Sequence, residues 1–351
     1  MSFFASKSGS YLGVDIGASA VKCVELVGSK SSPKVKSWGI EPIEMGAIED
    51  GSIVQQDNVI TALDTLLNRC RVKTKNVAVA VSSSHAITKV VPMASDLSES
   101  EVEDLVEVEA AHFVPYAIDD VNLDFQLLGP TLSNPENEQD VLIAACRTDI
   151  IDDYVSVIEE VGLQPGVVDI DTYAIQRLYA NQRVPNMNEK TAVAAFDVGV
   201  NTTKVVVFEG DEVIFNRQQK FGGAQLVNLV RQEYGLGFPE ALAVLESESP
   251  PADIIENVYL PYMSLAANEF NRALQFFYSS SKHEAVSQVL FTGGVAGMPG
   301  FSESMSQAMN LSAQDLMDFS QFSVKGNRGA LVSNMGRLSV ATGLALRGLD
   351  S

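Results

Sequence analysis

Cysteine is scarce in this chain. Cys23, Cys70 and Cys146 are its only three among 351 residues, widely separated, which indicates no disulfide framework or Cys-pair metal site and fits a reducing cytoplasm. The three histidines, His85, His112 and His283, are scattered without metal-ligand spacing and read as structural or solvated. No run approaches the roughly 18 apolar residues that a membrane span needs. The first ten residues carry Phe3 and Phe4 but no apolar signal-peptide core. A role at a membrane would therefore need a partner to hold the chain there. Basic residues are also few, 24 Lys and Arg against 45 Asp and Glu for a net charge of −21, which disfavours nucleic acid and direct binding to anionic lipid.

What is present is apolar mass and a repeated motif. Hydrophobic residues make up 46% of the chain, enough for two lobes rather than one. The pattern Asp, apolar residue, Gly, four residues, Lys occurs as Asp15-Ile16-Gly17 with Lys22 and again as Asp197-Val198-Gly199 with Lys204, offset by 182 residues. In each copy an apolar strand (12–16; 192–198) runs through a small-residue turn into a second strand (21–27; 203–208). Such a hairpin tip presents main-chain N–H groups to an anion, and an Asp at the strand end can hold a metal through water. A pair of them would clamp a nucleotide's phosphates from two sides. As single motifs they are ordinary β-hairpins, because D-x-G is a common turn; the pairing is what points to phosphate. A third feature, Phe291-Thr292-Gly293-Gly294-Val295-Ala296-Gly297, ends an apolar strand in a Gly-rich bend where an adenine or ribose could lie against bare backbone.

Between these motifs the periodicity predicts a helix over 57–70, a buried strand over 76–81, and an insertion over 85–147. The insertion reads as strand 86–91, a helix, strand 121–128, a polar turn at 134–137 and strand 141–146. Its helix has capping-box spacing at Ser98 and Glu101, a stripe of Val102, Leu105, Val106, Ala110 and Phe113, and an end at Pro115. The stripe packs on the insertion's own sheet, or part of it, with Phe113 and Tyr116, lines a groove for a partner peptide. Helix 148–160, strand 167–170 and helix 171–180 follow, then a loop around Pro185. Beyond the second hairpin come helices 224–234, 239–245 and 254–280, and a final small-residue helix over 337–347.

Three such turns in this order resemble the actin-like ATPase superfamily, and the resemblance covers almost the whole chain. It implies an α/β, ribonuclease H-like two-lobed fold: 1–84 and 148–188 as lobe 1, 85–147 as an inserted subdomain placed as in FtsA, and 189–351 as lobe 2 with its last helix returning to lobe 1. FtsA continues into a linker and a membrane-docking amphipathic helix, whereas this sequence stops just after the final fold helix. With the start Gly13-Val14-Asp15-Ile16-Gly17-Ala18-Ser19-Ala20-Val21-Lys22, this is similar to the PilM family of type IV pilus assembly proteins. That likeness implies an ATP-binding adaptor, cytoplasmic and peripheral at the inner membrane, that holds the N-terminal peptide of a bitopic PilN-type protein in a groove where the insertion meets lobe 1. Other pilus platform proteins and assembly ATPases are implied as further partners, and self-association stays open. An FtsA-like filament protein and a small-molecule kinase of the same superfamily are the rival readings.

The resemblance also implies site residues. Asp15 and Asp197 would orient Mg²⁺ mainly through its waters. Amides of Gly17, Ala18 and Ser19, and of Gly199, Asn201 and Thr202, would bind ATP phosphate oxygens, with Lys22 as a point charge on the β- and γ-phosphates. Gly293 and Gly294 would border the nucleoside, and Glu269 and Arg272 would contact adenosine. Asp171 would polarise the attacking water or cap its helix. The second turn departs from the superfamily's Gly-Gly-Gly-Thr, reading Gly199-Val200-Asn201-Thr202, which narrows the space. Slow or absent hydrolysis is therefore expected, with nucleotide acting as a conformational ligand.

Overall fold

Strands β1 (Leu12–Ile16) and β2 (Ala20–Ser29) are buried along most of their length, as strands covered on both faces must be. The computed structural model describes residues 10–131, 133–182, 191–247, 249–318, 322–324 and 328–349. The segment with Phe3 and Phe4 and the loop around Pro185 lie outside them. The chain divides into two units, Met1–Arg177 with Val340–Ser351, and Leu178–Ser339.

In the first unit, β3 (Ser32–Pro42) extends the β1–β2 hairpin into an antiparallel meander. A short hairpin of β4 (Ile48–Glu49) and β5 (Ser52–Ile53) leads to α1 (Gln56–Cys70) and β6 (Asn76–Val81). An insert of β7 (Ala86–Ala94), α2 (Glu99–Ala110), β8 (Val121–Pro130) and β9 (Glu138–Arg147) precedes α3 (Thr148–Glu160), β10 (Gln164–Ile170) and α4 (Asp171–Gln182). Across this unit the main sheet runs β10–β6–β1–β2–β3, with β6 parallel to both β1 and β10. Val59, Leu63 and Leu66 of α1 share a core with Ile151, Tyr154, Val157 and Ile158 of α3.

The insert is a three-stranded sheet in the order β7–β9–β8. Helix α2 starts with the Ser98–Glu101 capping box and lays Val102, Val106 and Ala110 on Val141, Ile143 and Ala145. Two expectations need correcting here. Leu105 is 39% exposed, because a three-stranded sheet covers only the i, i+4 line of its helix. The helix also ends at Ala110, before Pro115, closed by turns such as Val114 N–H to the Ala110 carbonyl at 2.9 Å.

The second unit repeats the topology. Strands β11 (Ala192–Val198), β12 (Thr203–Glu209) and β13 (Glu212–Gln219) form the meander, and β14 (Gln288–Gly293) and β15 (Ser312–Asp315) add in parallel on the other side, giving β13–β12–β11–β14–β15. Helices α5 (Gly223–Tyr234), α6 (Phe238–Leu245) and α7 (Leu260–Ser280) follow the meander, and α8 (Phe301–Met309) joins β14 to β15. A π-turn at Ile255–Tyr259 opens α7. Phe196, Phe270, Phe291 and Phe301 make one aromatic core, with Phe196 and Phe270 centroids 4.7 Å apart and Phe291 meeting Phe301 edge-on at 5.3 Å. The short α9 (Arg328–Ser333) precedes α10 (Ser339–Leu346), from Val340 onward part of the first unit again.

Helix α10 closes the first unit through bare backbone. A Cβ on Gly343 would stand 1.9 Å from the Ala174 carbonyl oxygen of α4, and one on Gly13 2.0 Å from that of Ala341. Gly343→Ala is expected to lower stability by about 1–3 kcal/mol, the usual cost of overpacking. A urea midpoint equal to that of the parent protein would contradict this close approach.

An ion cluster locks the same region. The Asp169 carboxylate at the end of β10 is fully buried, its Oδ2 accepting from Arg177 Nη2 at 3.1 Å and Arg347 Nη1 at 2.9 Å, and its Oδ1 accepting from the Ile170 amide at 2.8 Å. Burial works to raise this carboxyl's pKa, but Arg177 and then Arg347 overcome it and hold it below the ordinary carboxylate value.

Candidate functional site

Antiparallel pairing places each motif Lys opposite its motif Asp. Asp15 is the register partner of Lys22, and Asp197 that of Lys204. The first pair is tight, Lys22 Nζ to Asp15 Oδ2 at 2.9 Å; the second is looser, Lys204 Nζ to Asp197 Oδ2 at 3.5 Å. All four side chains are mostly but not fully covered. Lys22 Nζ lies directly over its turn, since a Cβ on Gly17 would meet it at 2.5 Å. A cation is thus held at the tip of the first hairpin, paired with the carboxylate of the neighbouring strand.

The turn amides divide into two sets. Gly17 N–H donates to the Ala20 carbonyl at 3.1 Å and Gly199 N–H to the Thr202 carbonyl at 3.0 Å, so both glycine amides close their own turns. The expected anion-facing role of these two glycine amides is thereby corrected, while the amides of Ala18 and Ser19, and of Val200 and Asn201, are not the ones that close the turns. Sequence reasoning missed what lies beneath the second turn. The N-terminus of α5 abuts it, with Gly223 N–H to the Gly199 carbonyl at 2.9 Å and Ala224 N–H to the Val200 carbonyl at 2.7 Å. A Cβ on Gly222 would stand 2.4 Å from the Gly199 oxygen. These bonds pull the turn's carbonyls toward the helix, and the positive end of the α5 dipole sits at the tip. The double glycine before a helix was the available signal.

The Gly-rich bend belongs to the same end of the second sheet. Parallel pairing of β11 with β14 sets Asp197 beside Thr292 and Val198 beside Gly293. Gly293 has φ +91° and is buried, with no room for a Cβ, which would lie 2.4 Å from the Val198 oxygen. Gly294 is exposed and is the bare surface of the bend. Next to it stands Arg337, whose Cγ would lie 3.9 Å from a Cβ on Gly294. Burial draws the Arg337 guanidinium below its ordinary pKa, with Glu246 opposing; the reading of the sequence had placed this residue only in a helix. Glu269 and Arg272 pair with each other on α7, and the Glu269 carbonyl accepts from Gln219 Nε2 at 3.4 Å. Gln219 is the register partner of Thr203, at the turn end of the second hairpin.

Asp171 opens α4 and is 5% exposed, its Oδ1 accepting from the Ser83 amide just beyond β6 at 3.0 Å. That bond ties the ends of neighbouring parallel strands together. Among the described residues no group of three His, Cys, Asp or Glu side chains could hold a metal ion directly. A divalent cation would thus have to keep its waters and arrive on the phosphates, which suits single, partly exposed carboxylates such as Asp15 and Asp197.

Two sheets of one topology, each led by a hairpin with a register-matched Asp–Lys pair, make an actin-like ATPase fold. The chain belongs to the family of type IV pilus assembly protein PilM, whose family model matches residues 13–349. It is similar to the structure described as the PilM-PilN type IV pilus biogenesis complex, at 23% identity and TM-score 0.80, covering 98% of this chain and 100% of that one. The ethanolamine utilization protein EutJ from Carboxydothermus hydrogenoformans is similar at 16% identity and TM-score 0.60, over 97% of this chain and 90% of that one. No described helix is long and apolar enough to cross a membrane.

Proposed function

We propose that this chain is a nucleotide-responsive adaptor of the type IV pilus inner-membrane platform, binding ATP at its two hairpin turns and the cytoplasmic N-terminal peptide of a PilN-type protein on its insert. The observation that carries the nucleotide half is the twofold occurrence of one register-matched Asp–Lys pair at a hairpin tip. In this reading the Ala18, Ser19 and Asn201 amides take phosphate oxygens, Thr202 flanks them, and Lys22 and Lys204 supply charge. Asp15 and Asp197 orient the waters of Mg²⁺, which when bound neutralises the phosphates. Gly294 and Arg337 border the nucleoside, with Glu269 and Arg272 further along α7. Asp171, already holding the Ser83 amide, positions the strand end and leaves turnover slow.

The peptide half rests on family membership and on an open sheet face. On the side of the insert away from α2, register sets Val90, Leu142 and Gln126 in one row and Thr88, Ala144 and Asp124 in the next. Ala144 is buried in the core with α3, while Val90 is 47% exposed. Val90, Leu142 and Ala144 thus form an apolar line running into the core shared with α3, and suit an apolar peptide. Phe113 and Tyr116 carry Lys89 and Arg147 over their rings, and Tyr116 is still 47% exposed.

The test is a titration of a fluorescent peptide copying the cytoplasmic N-terminus of the cognate PilN-type protein, with Mg-ATP and without nucleotide. Saturable binding that shifts with nucleotide and is lost in Val90→Glu is the expected result. Binding indifferent to nucleotide would reduce the protein to a plain scaffold, and no binding in either state would end the adaptor reading.

A further inference from the structure

Two cysteines far apart in sequence meet in the fold. Cys23 lies on β2 and is fully buried, and its register partner on β3 is Gly39. A Cβ on Gly39 would stand 2.4 Å from Sγ of Cys70, the last residue of α1. The Cys70 thiol therefore fills the space that Gly39 leaves, on the same face as the Cys23 side chain. All three cysteines are free thiols in this structure. We propose that Cys70 and Cys23 form a peroxide-responsive pair, in which Cys70 is the attacking thiol, Cys23 the resolving one, and the product a reversible disulfide between α1 and β2.

Their environments divide these roles. Cys70 is half-buried and reachable from solvent, whereas Cys23 is sealed. The Cys23 thiol, then Arg69 and Ser37, lower the Cys70 pKa to about 7 against the effect of burial. Arg69 is itself fixed, by the Ile40 carbonyl and by Glu41 Oε2, each at 2.5 Å. Cys70 Sγ is held toward the Trp38 carbonyl at 3.2 Å. The neighbouring Cys70 thiol and then burial push the Cys23 thiol up, so it waits protonated. A low-pKa, accessible thiol beside a second cysteine is the arrangement in which sulfenic acid is captured before further oxidation.

The chemistry balances with hydrogen peroxide as oxidant. The Cys70 thiolate attacks one peroxide oxygen, an S–O bond forms, the O–O bond breaks, and hydroxide leaves to be protonated as water. The Cys23 sulfur then attacks the Cys70 sulfenic sulfur, S–S forms, S–O breaks, and the departing hydroxide takes the Cys23 proton as a second water. Two thiols lose two electrons to one peroxide. Cys146, buried in β9 with its thiol pushed up to about 12 by burial and then Asp149, has no place in this sequence.

The experiment uses the full chain, exposed to hydrogen peroxide, alkylated while native and again after unfolding, then digested without reductant for mass spectrometry. The expected product is a Cys23–Cys70 linked peptide pair lighter by two hydrogens, restored by dithiothreitol, with Cys146 recovered as a free thiol. In Cys23→Ala, Cys70 should run on to sulfinic acid; in Cys70→Ala, Cys23 should stay reduced. Sulfinic Cys70 beside reduced Cys23 in the unmodified sequence would overturn the proposal, as would a Cys70 that peroxide leaves untouched. Both readings come from the parent protein, so a variant that fails to fold does not blunt the test.

Discussion

Asp169→Ala is expected to lower the unfolding free energy by about 3–5 kcal/mol, the range for removing one partner from a buried ion pair. The large effect follows from what remains: Arg177 and Arg347, both mostly covered, would face each other across the vacated site without their shared carboxylate. The same group sets a pH dependence. Its folded pKa lies below the ordinary value, so its stabilisation is fully present above the unfolded pKa, about 3.9, and is lost as pH falls through the lower folded value. Urea unfolding followed from neutral pH downward should show stability declining with acid, with part of that slope missing in Asp169→Asn. A mutant as stable as the parent at neutral pH would show that the cluster contributes nothing net.

Lys22→Gln should weaken nucleotide binding by about 10–100-fold, the equivalent of about 1.5–3 kcal/mol for a hydrogen bond to a charged group. Gln keeps the polarity of the side chain, one bond shorter, but removes the charge that lies over Gly17. The change also releases Asp15, adding repulsion toward a polyphosphate. Lys204→Gln should have the smaller effect, because Lys204 is held less tightly to its Asp and does not overlie its turn. Titration with a fluorescent ATP analogue, with circular dichroism as the folding control, measures both. Undiminished affinity in Lys22→Gln would remove the first hairpin from the nucleotide reading.

Much of this architecture was legible because β1, β2, β11 and β12 are apolar runs punctuated by glycine, and α1, α2 and α3 carry clear stripes. The fold class followed from the order of the hairpins. The third meander strands were missed: β3 contains Pro33, Gly39 and Pro42, and β13 is polar over half its length, since both depend on a neighbouring strand for their hydrogen bonds rather than on a strong pattern of their own. The site was legible only where it is local. Asp15 and Lys22 lie seven residues apart and could be read as one hairpin, whereas Arg337 beside Gly294, α5 beneath Gly199, and Arg347 on Asp169 are meetings of distant segments with no sequence period to announce them. The Cys23–Cys70 contact was hidden in the same way. It depends on the rotational phase of the last turn of α1 over a glycine on β3, which spacing along the chain does not encode.

The discontinuity of the first unit has a temporal consequence. Its opening strand, β1, lies against Ala341 of α10, and its buried Asp169 waits for Arg347. Both follow Leu178–Ser339 in the chain, so a ribosome adds them only after every residue of that unit has been made. The later-encoded unit is thus complete in sequence first, and the earlier-encoded one leaves the exit tunnel with its Gly13 seam uncovered. During that interval the nascent chain presents an unfinished apolar surface. Helix α10 and Arg347 act as a latch on a lobe begun before the second unit is encoded.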